Sequence, residues 1–390
     1  MRWRILGLLF LARTGLGFQF QTLGSVGGDL SAAFGMDYAS IGMLIGLFMA
    51  PGLFLALPAG YLGRWFADRQ MAVLGLMALA IGGVVSASSV GGAGIGLGRL
   101  IAGAGFLFAT LYCTKMVAEW FEGREIATAM SVFVMSWPFG IAMGQVGHAW
   151  LAETYGWRLP FLVASAYCFA MACVLMHFYR APDDRSAPVP GHAARLTGQE
   201  WRLVLCAGCA WGVFNAAYVT YLSFGPKVLE ELGQSPVAAA GVISVASWIM
   251  IVSGALCGQV VDRSDKPYLI LAVCMACAVS ALWALSLPGA GLVASLLFGL
   301  VGMAPAGVIM AFVGGALRPD TRAFGMGVFF MIYHVLMMAT PPVAGAVLDA
   351  TGQAQGPIWL AMGLFALVVP LSLTFRSIKA SAKTPKPRAA

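Results

Sequence analysis

The stretch RAPDDRSAPVPGHAARLTGQEWR, residues 180–202, is the longest polar segment of an otherwise apolar chain. It is rich in proline, alanine and charge, a composition typical of a linker. It lies near the middle of the 390 residues. We therefore predict two halves, residues 1–179 and 202–376, joined by a cytoplasmic linker at 180–201 and followed by a basic cytoplasmic tail at 377–390.

The composition on either side of this linker excludes a soluble globular protein. Hydrophobic residues make up 60% of the chain and charged residues only 10%, against roughly a quarter charged in soluble domains. Glycine is abundant at 49 residues, as expected where helices approach each other closely in lipid. The composition predicts helices that cross a membrane.

Apolar runs of about 20 residues, bounded by charges or by Gly/Pro turns, recur through both halves. We count twelve, six before the linker and six after it, and expect kinks at Pro138 and at Pro341-Pro342. The runs centre near residues 16, 50, 81, 103, 138, 168, 213, 249, 277, 303, 336 and 366. The predicted class is an all-α membrane protein with twelve transmembrane helices.

The distribution of basic residues predicts the orientation. If the N-terminus is cytoplasmic, all but four of the 23 Lys and Arg fall in cytoplasmic segments. The exceptions are Arg158 and Lys227 on the other side, and Arg13 and Arg99 inside spans. This bias predicts a multi-pass protein of the inner (plasma) membrane with both termini cytoplasmic. Anionic lipids, rather than nucleic acid, account for the net charge of +7.

No pattern in the chain predicts an enzyme or a cofactor. There is no G-x-x-x-x-G-K-S/T, and GGAGIGLG (91–98) lacks the spacing and strand context of a dinucleotide loop. Two C-x-x-C pairs, Cys206/Cys209 and Cys274/Cys277, lie inside apolar runs, where cysteine is an ordinary packing residue. We predict a non-enzyme without cofactor or metal, driven by gradients rather than by ATP.

The two halves repeat a short loop pattern. PAGYLGRWFADRQ (58–70) follows the second span and CGQVVDRSDKP (257–267) follows the eighth. Such a parallel repeat is typical of transporters with a binding site between their halves. The second copy, with Gly258, Asp262 and Arg263, resembles the loop signature of the major facilitator superfamily. GRLIAGAG (98–105) resembles the family's fourth-span signature.

The resemblance implies the fold of that superfamily, two pseudo-symmetric six-helix bundles, with alternating access and a monomeric protein. KMVAEWFEGREIATAM (115–130) and SWPFGIA (136–142) also resemble its cyanate-permease-like and neighbouring small-anion transporters, as do ARTGLGFQFQ (12–21) and LPAGYLGR (57–64). One departure is Gly63, which stands where the family's first loop copy has an acid before Arg64.

Arg13 is the strongest candidate for a substrate ligand. It lies about 12 Å along the first span, counted from Ile5, on a small and polar helix face that includes Gln21. Every Asp and Glu lies in a loop or near a span end, so no carboxylate partner is evident. We predict that Arg13 binds an anionic substrate. The alternative is that it reaches the headgroups.

Arg99 has a similar setting in the fourth span. One interpretation is a structural role, in which Arg99 hydrogen-bonds backbone carbonyls and pins neighbouring helices. The other is a role in coupling. Both remain open at this stage.

The seventh span offers a facing surface for the substrate. Trp211, Asn215 and Tyr218 follow i, i+4 and i+7 spacing, which places two aromatic rings and one amide on one helix face. Core packing is the alternative interpretation. His334, beside Tyr333 in the eleventh span, and His148 in the fifth are candidates for proton coupling, or else packing residues.

We expect Asp262 and Arg263, with Arg64, to form a cytoplasmic gate. The predicted function is a secondary transporter of a small anionic solute. Two alternatives remain, a proton-coupled exporter of lipophilic drugs or amino acids and a non-transporting membrane receptor. Expected partners are the solute, a coupling proton if transport is proton-coupled, and lipids, but no nucleic acid.

Overall fold

The protein is a bundle of long helices. The computed structural model describes residues 2–62, 65–121, 125–181, 195–264, 266–314, 316–318 and 321–381. The helices are α1 (Arg2–Phe34), α2 (Tyr38–Leu47), α3 (Pro51–Leu62), α4 (Asp68–Ala87), α5 (Gly92–Trp120), α6 (Ile126–Val134), α7 (Ser136–Tyr155), α8 (Arg158–Phe178), α9 (Gly198–Glu231), α10 (Pro236–Ser264), α11 (Pro267–Leu285), α12 (Gly291–Leu297), α13 (Ala306–Gly314), α14 (Arg322–Thr351) and α15 (Gln355–Ser381), with a π-helical turn at Phe298–Gly302.

Eleven helical segments in the described residues are long and apolar enough to cross a bilayer. The helix α1, with 33 residues, is a further long helix whose middle carries Arg13 and two glutamines. Three spans consist of shorter helices in line, α2 with α3, α6 with α7, and α12 with α13 across the π turn. The predicted all-α membrane fold is confirmed.

Proline explains two of these interruptions. Pro138 in α7 has no N–H group for the carbonyl of Val134, where α6 ends. Pro51 begins α3, and the three residues before it hydrogen-bond to carbonyls three rather than four positions back. In contrast, α14 continues through Pro341 and Pro342 as one helix. Carbonyls released at membrane depth need other donors.

Two helices extend past the predicted boundaries. The helix α9 begins at Gly198, inside the predicted linker, because Thr197 and Glu200 form a capping box. The Thr197 N–H donates to Glu200 Oε2 (2.8 Å), and Thr197 Oγ1 accepts from the Glu200 N–H (3.2 Å). The helix α15 ends at Ser381, inside the predicted tail. The division into two folding halves stays a prediction.

We name the two faces of the bundle after the parts of the chain that lie at each of them. The terminal face holds the span ends near Arg2 and Ser381, and the distal face holds the connections between α1 and α2 and between α14 and α15. On the terminal face, Arg2 pairs with Glu125 at 2.7 Å. Arg318 Nε pairs with Glu200 at 3.1 Å. Each pair ties the first span of one half to the segment that connects the fourth and fifth spans of the same half. The first span carries the arginine in the first half and the glutamate in the second half.

The two halves contact each other mainly toward the distal face. Three hydrogen bonds between described residues of the two halves lie there: Tyr38 and Ala39 N–H donate to Asp349, and Gln145 Nε2 donates to the Leu222 carbonyl. The helices α2 and α14 approach so closely that a Cβ on Gly42 would overlap the carbonyl of Pro341. The bundle is therefore closed on the distal face.

Candidate substrate site

Arg13 donates to the interruption between α6 and α7. Its Nη1 group lies 3.1 Å from the Phe133 carbonyl, 3.0 Å from the Val134 carbonyl and 3.2 Å from Ser136 Oγ. The Phe133 ring also lies against the guanidinium, with Cζ 4.8 Å from the ring centroid. No described carboxylate lies within ion-pair distance of Arg13. Backbone carbonyls released by the break thus take the place of an acidic partner.

The other edge of the same guanidinium is unpaired. Arg13 Nε is buried without a hydrogen-bond partner in the described residues. Its Nη2 group makes no hydrogen bond there either, and it is not among the buried atoms. A buried N–H group without an acceptor is costly. Arg13 therefore combines a satisfied Nη1 with an Nε–Nη2 edge that lacks acceptors.

A tyrosine of the other half lies in the neighbourhood of Arg13. The Cys113 thiol of α5 and the Tyr333 phenol of α14 both interact electrostatically with the Arg13 guanidinium. Tyr333 also lies beside Trp211 of α9, with 6.4 Å between ring centroids. Arg13, Trp211 and Tyr333 are all half-buried. We did not single out Tyr333 from the sequence, and its position beside His334 was the one available signal.

The other predicted substrate ligands lie apart from Arg13 or hydrogen-bond to other groups of the protein. Asn215 Nδ2 donates to the Trp211 carbonyl at 2.8 Å. The Tyr218 hydroxyl is buried and bonded to Ser247 Oγ at 2.6 Å. Gln21 is buried two turns beyond Arg13 on α1, where its Nε2 is 3.5 Å from Ser25 Oγ. Their roles stay predictions.

The two candidate histidines occupy different interfaces. His334 Nδ1 lies 2.7 Å from the Phe330 carbonyl of its own helix, and its Nε2 is buried without a partner in the described residues. Its ring packs so closely against Gly52 of α3, in the other half, that a Cβ on Gly52 would overlap it. His148 is fully buried inside the first half, with Nε2 2.9 Å from the Phe18 carbonyl. Neither histidine lies beside Arg13 in a hydrogen-bonded network.

Arg99 is 1% exposed and hydrogen-bonds only backbone carbonyls. Its Nε lies 3.2 Å from Leu44 O at the interruption after α2, and its two Nη groups reach Gln19 O and Phe20 O of α1 at 3.3 and 3.4 Å. The Phe48 ring centroid lies 4.4 Å from its Cζ atom. Arg99 thus ties α5 to α1 and α2, the arrangement of the structural interpretation. A coupling role stays untested.

The predicted cytoplasmic gate is only partly visible. Arg64 and the side chain of Asp262 lie outside the described residues, and Arg263 is exposed near the end of α10. At the opposite face, Asp349 bridges the two halves through the N–H groups that begin α2. A carboxylate at a helix N-terminus is well placed to accept such bonds. Asp349 was not singled out from the sequence among the acids that lie in loops or near span ends.

A cavity of about 320 Å³ lies between the halves near the distal face. Its lining includes three acids, one lysine and Gln145, whose Oε1 has no described partner. The charged residues are Asp29, Glu153, Glu230 and Lys227. Arg13 is not part of this cavity, so the anion candidate and the distal cavity are separate features.

Comparison with known proteins identifies the family. The family model described as Major Facilitator Superfamily matches residues 9–312, well over half of the chain. The protein belongs to the major facilitator superfamily. It is therefore a multi-pass membrane transporter and not an enzyme. The finer resemblance to the cyanate-permease-like branch stays a prediction.

Individual relatives agree with this family. The chain is 23% identical to a gallate transporter of Pseudomonas putida, with 95% of this chain and 91% of that protein covered. It is 24% identical to a cis,cis-muconate transport protein of Acinetobacter baylyi, with 68% of each chain covered. Among solved structures, a bacterial homologue of the human lysosomal transporter Spinster, inward-facing and unoccupied, has a TM-score of 0.76 at 17% identity, with 100% of this chain and 99% of that chain covered. The similarity to this solved structure shows the fold alone.

Among the described residues, no group of three or more His, Cys, Asp or Glu side chains is arranged to hold a metal ion. The cysteines of both C-x-x-C pairs are free thiols on α9 and α11.

Proposed function

We propose that this superfamily member is a secondary transporter of small organic carboxylates, and that Arg13 binds the substrate carboxylate. The observation that carries the proposal is the unpaired Nε–Nη2 edge of Arg13. A guanidinium edge offers two parallel N–H groups that match the two oxygens of a carboxylate. A bound carboxylate would supply the missing acceptors and offset the desolvation of the arginine.

The surroundings favour a planar organic anion. Phe133 lies against the guanidinium, and Tyr333, which interacts with Arg13, packs beside Trp211. Aromatic faces bury flat hydrocarbon well, while the Tyr333 hydroxyl can donate to a carboxylate oxygen. The names of two relatives, gallate and cis,cis-muconate transporters, describe planar conjugated carboxylates of this kind.

The proposed transport cycle follows from the contacts between the halves. The distal contacts hold the structure closed on one side, and alternating access requires them to break in the opposite state. The excess of basic residues on the terminal face supports a cytoplasmic assignment for it in the inner membrane. With the terminal face cytoplasmic, a bundle closed on the distal face corresponds to an inward-facing state. His334 and His148 remain the candidates for a coupled proton.

Ligand-induced thermal stabilisation of the purified protein tests the proposal. The panel is benzoate, gallate and cis,cis-muconate, with benzamide as a neutral analogue and tetraphenylphosphonium as a lipophilic cation. At about 100 times its dissociation constant a ligand stabilises the folded state by about 2.7 kcal/mol. We expect carboxylates, and neither benzamide nor the cation, to stabilise the wild type.

Two substitutions at Arg13 and one control complete the design. Arg13→Gln removes the charge, and Arg13→Lys keeps the charge but loses the two-pronged edge. Arg4→Gln removes the same charge from an exposed position on the same helix. We expect both Arg13 variants to lose carboxylate stabilisation and Arg4→Gln to keep it. Equal carboxylate stabilisation in Arg13→Lys and wild type, or a response of the wild type to the cation alone, contradicts the proposal.

A further inference from the structure

The orientation of the Arg13 guanidinium depends on one buried hydroxyl. Ser136, the first residue of α7, is fully buried, and its Oγ donates to the Phe133 carbonyl at 2.6 Å. The same oxygen accepts a hydrogen bond from Arg13 Nη1 at 3.2 Å. Ser136 is therefore bonded both to the helix interruption and to the arginine. No other side-chain oxygen of the described residues accepts a hydrogen bond from Arg13.

Ser136 and the two carbonyls hold one corner of the guanidinium. Nη1 has two hydrogens and three acceptors, the carbonyls of Phe133 and Val134 and the Ser136 hydroxyl. The Val134 carbonyl is available because Pro138 has no N–H group to occupy it. With this corner held, rotation about the last side-chain bond is restricted. The Nε–Nη2 edge is then held in one direction.

We propose that Ser136 is a positioning residue of the anion site. With Nη1 bonded to the α6–α7 break, it keeps the Nε–Nη2 edge of Arg13 turned away from the break and available to a carboxylate. This inference rests on the proposed function, because it assigns Ser136 a part in carboxylate binding by Arg13. The interruption of the fifth span between α6 and α7 then contributes to substrate selection as well as to the shape of the helix.

The chemistry that this arrangement selects is a planar group with two acceptor oxygens. Two fixed parallel N–H groups can satisfy a carboxylate together, whereas a primary amide offers one oxygen and opposes the second N–H with its own donors. A guanidinium free to rotate would still attract negative charge but would lose this geometric discrimination. Ser136 should therefore affect affinity and selectivity more than the speed of transport.

Uptake of radiolabelled benzoate into proteoliposomes tests the inference, with unlabelled benzoate and benzamide as competitors. Ser136→Ala removes the hydroxyl, and Ser136→Thr keeps it. Thr154→Ala is the matched control, because Thr154 lies on the same helix and bonds only the Trp150 carbonyl of that helix. Arg13→Lys is run in parallel.

We expect Ser136→Ala to raise KM for benzoate by about tenfold, the size expected when a hydrogen bond to a charged group is lost. Its kcat should stay within about twofold of wild type. Discrimination between benzoate and benzamide should fall by a similar factor. Ser136→Thr should restore at least part of the affinity, and Thr154→Ala should match wild type.

The outcomes separate the two proposals. If Arg13→Lys raises KM but Ser136→Ala does not, the positioning role is wrong and the anion site stands. If Ser136→Ala lowers kcat without changing KM, Ser136 is structural and the inference is overturned. If wild type does not take up or bind benzoate, or if Arg13→Lys leaves KM unchanged, the proposed function fails and the inference fails with it. If Ser136→Ala does not fold, Ser136→Thr still tests the inference, because it keeps the hydroxyl. A Ser136→Thr protein that folds like wild type but has a raised KM contradicts the positioning role of the hydroxyl.

Discussion

The carboxylate of Asp349, at the end of α14, accepts a hydrogen bond from the backbone N–H of Tyr38, the first residue of α2, at 2.9 Å. Its second oxygen accepts from the Ala39 N–H at 2.7 Å. The two residues belong to different halves and are separated by 311 positions. This contact joins the distal ends of the halves, so it must open when the distal face opens.

Asp349→Ala is expected to favour the state that is open on the distal face. The loss of a cap at a helix N-terminus typically costs about 1 kcal/mol, which changes a two-state ratio by about fivefold. The measurement is the rate of maleimide labelling of a cysteine introduced at Ala149, a buried residue of the distal cavity. The eight native cysteines are replaced in this background.

Asp37→Ala is the control for that experiment. Asp37 caps the same helix, with its Oδ1 2.9 Å from the Ser40 N–H, but it belongs to the same half as α2. Its loss should weaken the helix end without faster labelling. Equal labelling rates in Asp349→Ala and Asp37→Ala would show that the contact does not bias the two states.

Gly42→Ala should block closure of the distal face. A Cβ at this position would overlap the Pro341 carbonyl of α14, and backbone atoms on both sides cannot yield easily. Alanine is otherwise favoured over glycine in a helix by about 1 kcal/mol, so any loss must come from this contact. We expect benzoate transport to fall by about tenfold or more, together with faster labelling at position 149.

Gly7→Ala serves as the comparison, because a Cβ at Gly7 meets no atom within 4 Å. It should transport as wild type does. Wild-type transport by Gly42→Ala would mean that α2 and α14 do not approach this closely during the cycle.

Substitution of Arg99 should affect stability rather than substrate choice. Arg99→Gln loses three hydrogen bonds that tie α5 to carbonyls of α1 and α2. We expect a loss of about 3 kcal/mol, since each lost hydrogen bond contributes about 1 kcal/mol. Thermal melting in detergent measures the loss. Arg158→Gln, an exposed residue with one bond to the Ala87 carbonyl, should cost about 1 kcal/mol.

In any Arg99 variant that folds, KM for benzoate should equal that of wild type, since the side chain is 1% exposed. A raised KM with an unchanged melting temperature would show that Arg99 contributes to substrate binding rather than to helix packing.

The Arg318–Glu200 and Arg2–Glu125 ion pairs should differ in strength. Glu200 is 7% exposed and also accepts from Thr321 Oγ1 at 2.7 Å and from the Thr197 N–H. Glu125 is 50% exposed and pairs with Arg2 alone among the described residues. Glu200→Gln should lower stability by about 2 kcal/mol, and Glu125→Gln by less than about 1 kcal/mol. Melting curves at low and high salt compare them, and equal losses would contradict the difference in burial.

Several features of the fold followed directly from local sequence. Long apolar runs predicted the twelve spans, because crossing a bilayer depends on the residues of one segment alone. Pro138 predicted the irregular fifth span for the same reason. The capping box formed by Thr197 and Glu200 was readable as T-x-x-E, so the early start of α9 was a signal that we overlooked. The sequence also indicated that Arg13 has no acidic partner.

Only the tertiary structure showed what those residues contact. Arg13 bonds Val134, 121 residues away, and Asp349 bonds Tyr38 across the two halves. Tyr333, which was not among the predicted ligands, interacts electrostatically with the arginine from the other half. Such pairings depend on how helices distant in sequence pack and rotate against each other, and many packings can bury the same apolar surface. The apolar pattern determined that the chain enters the membrane as helices, and helix packing decided which polar groups meet inside it.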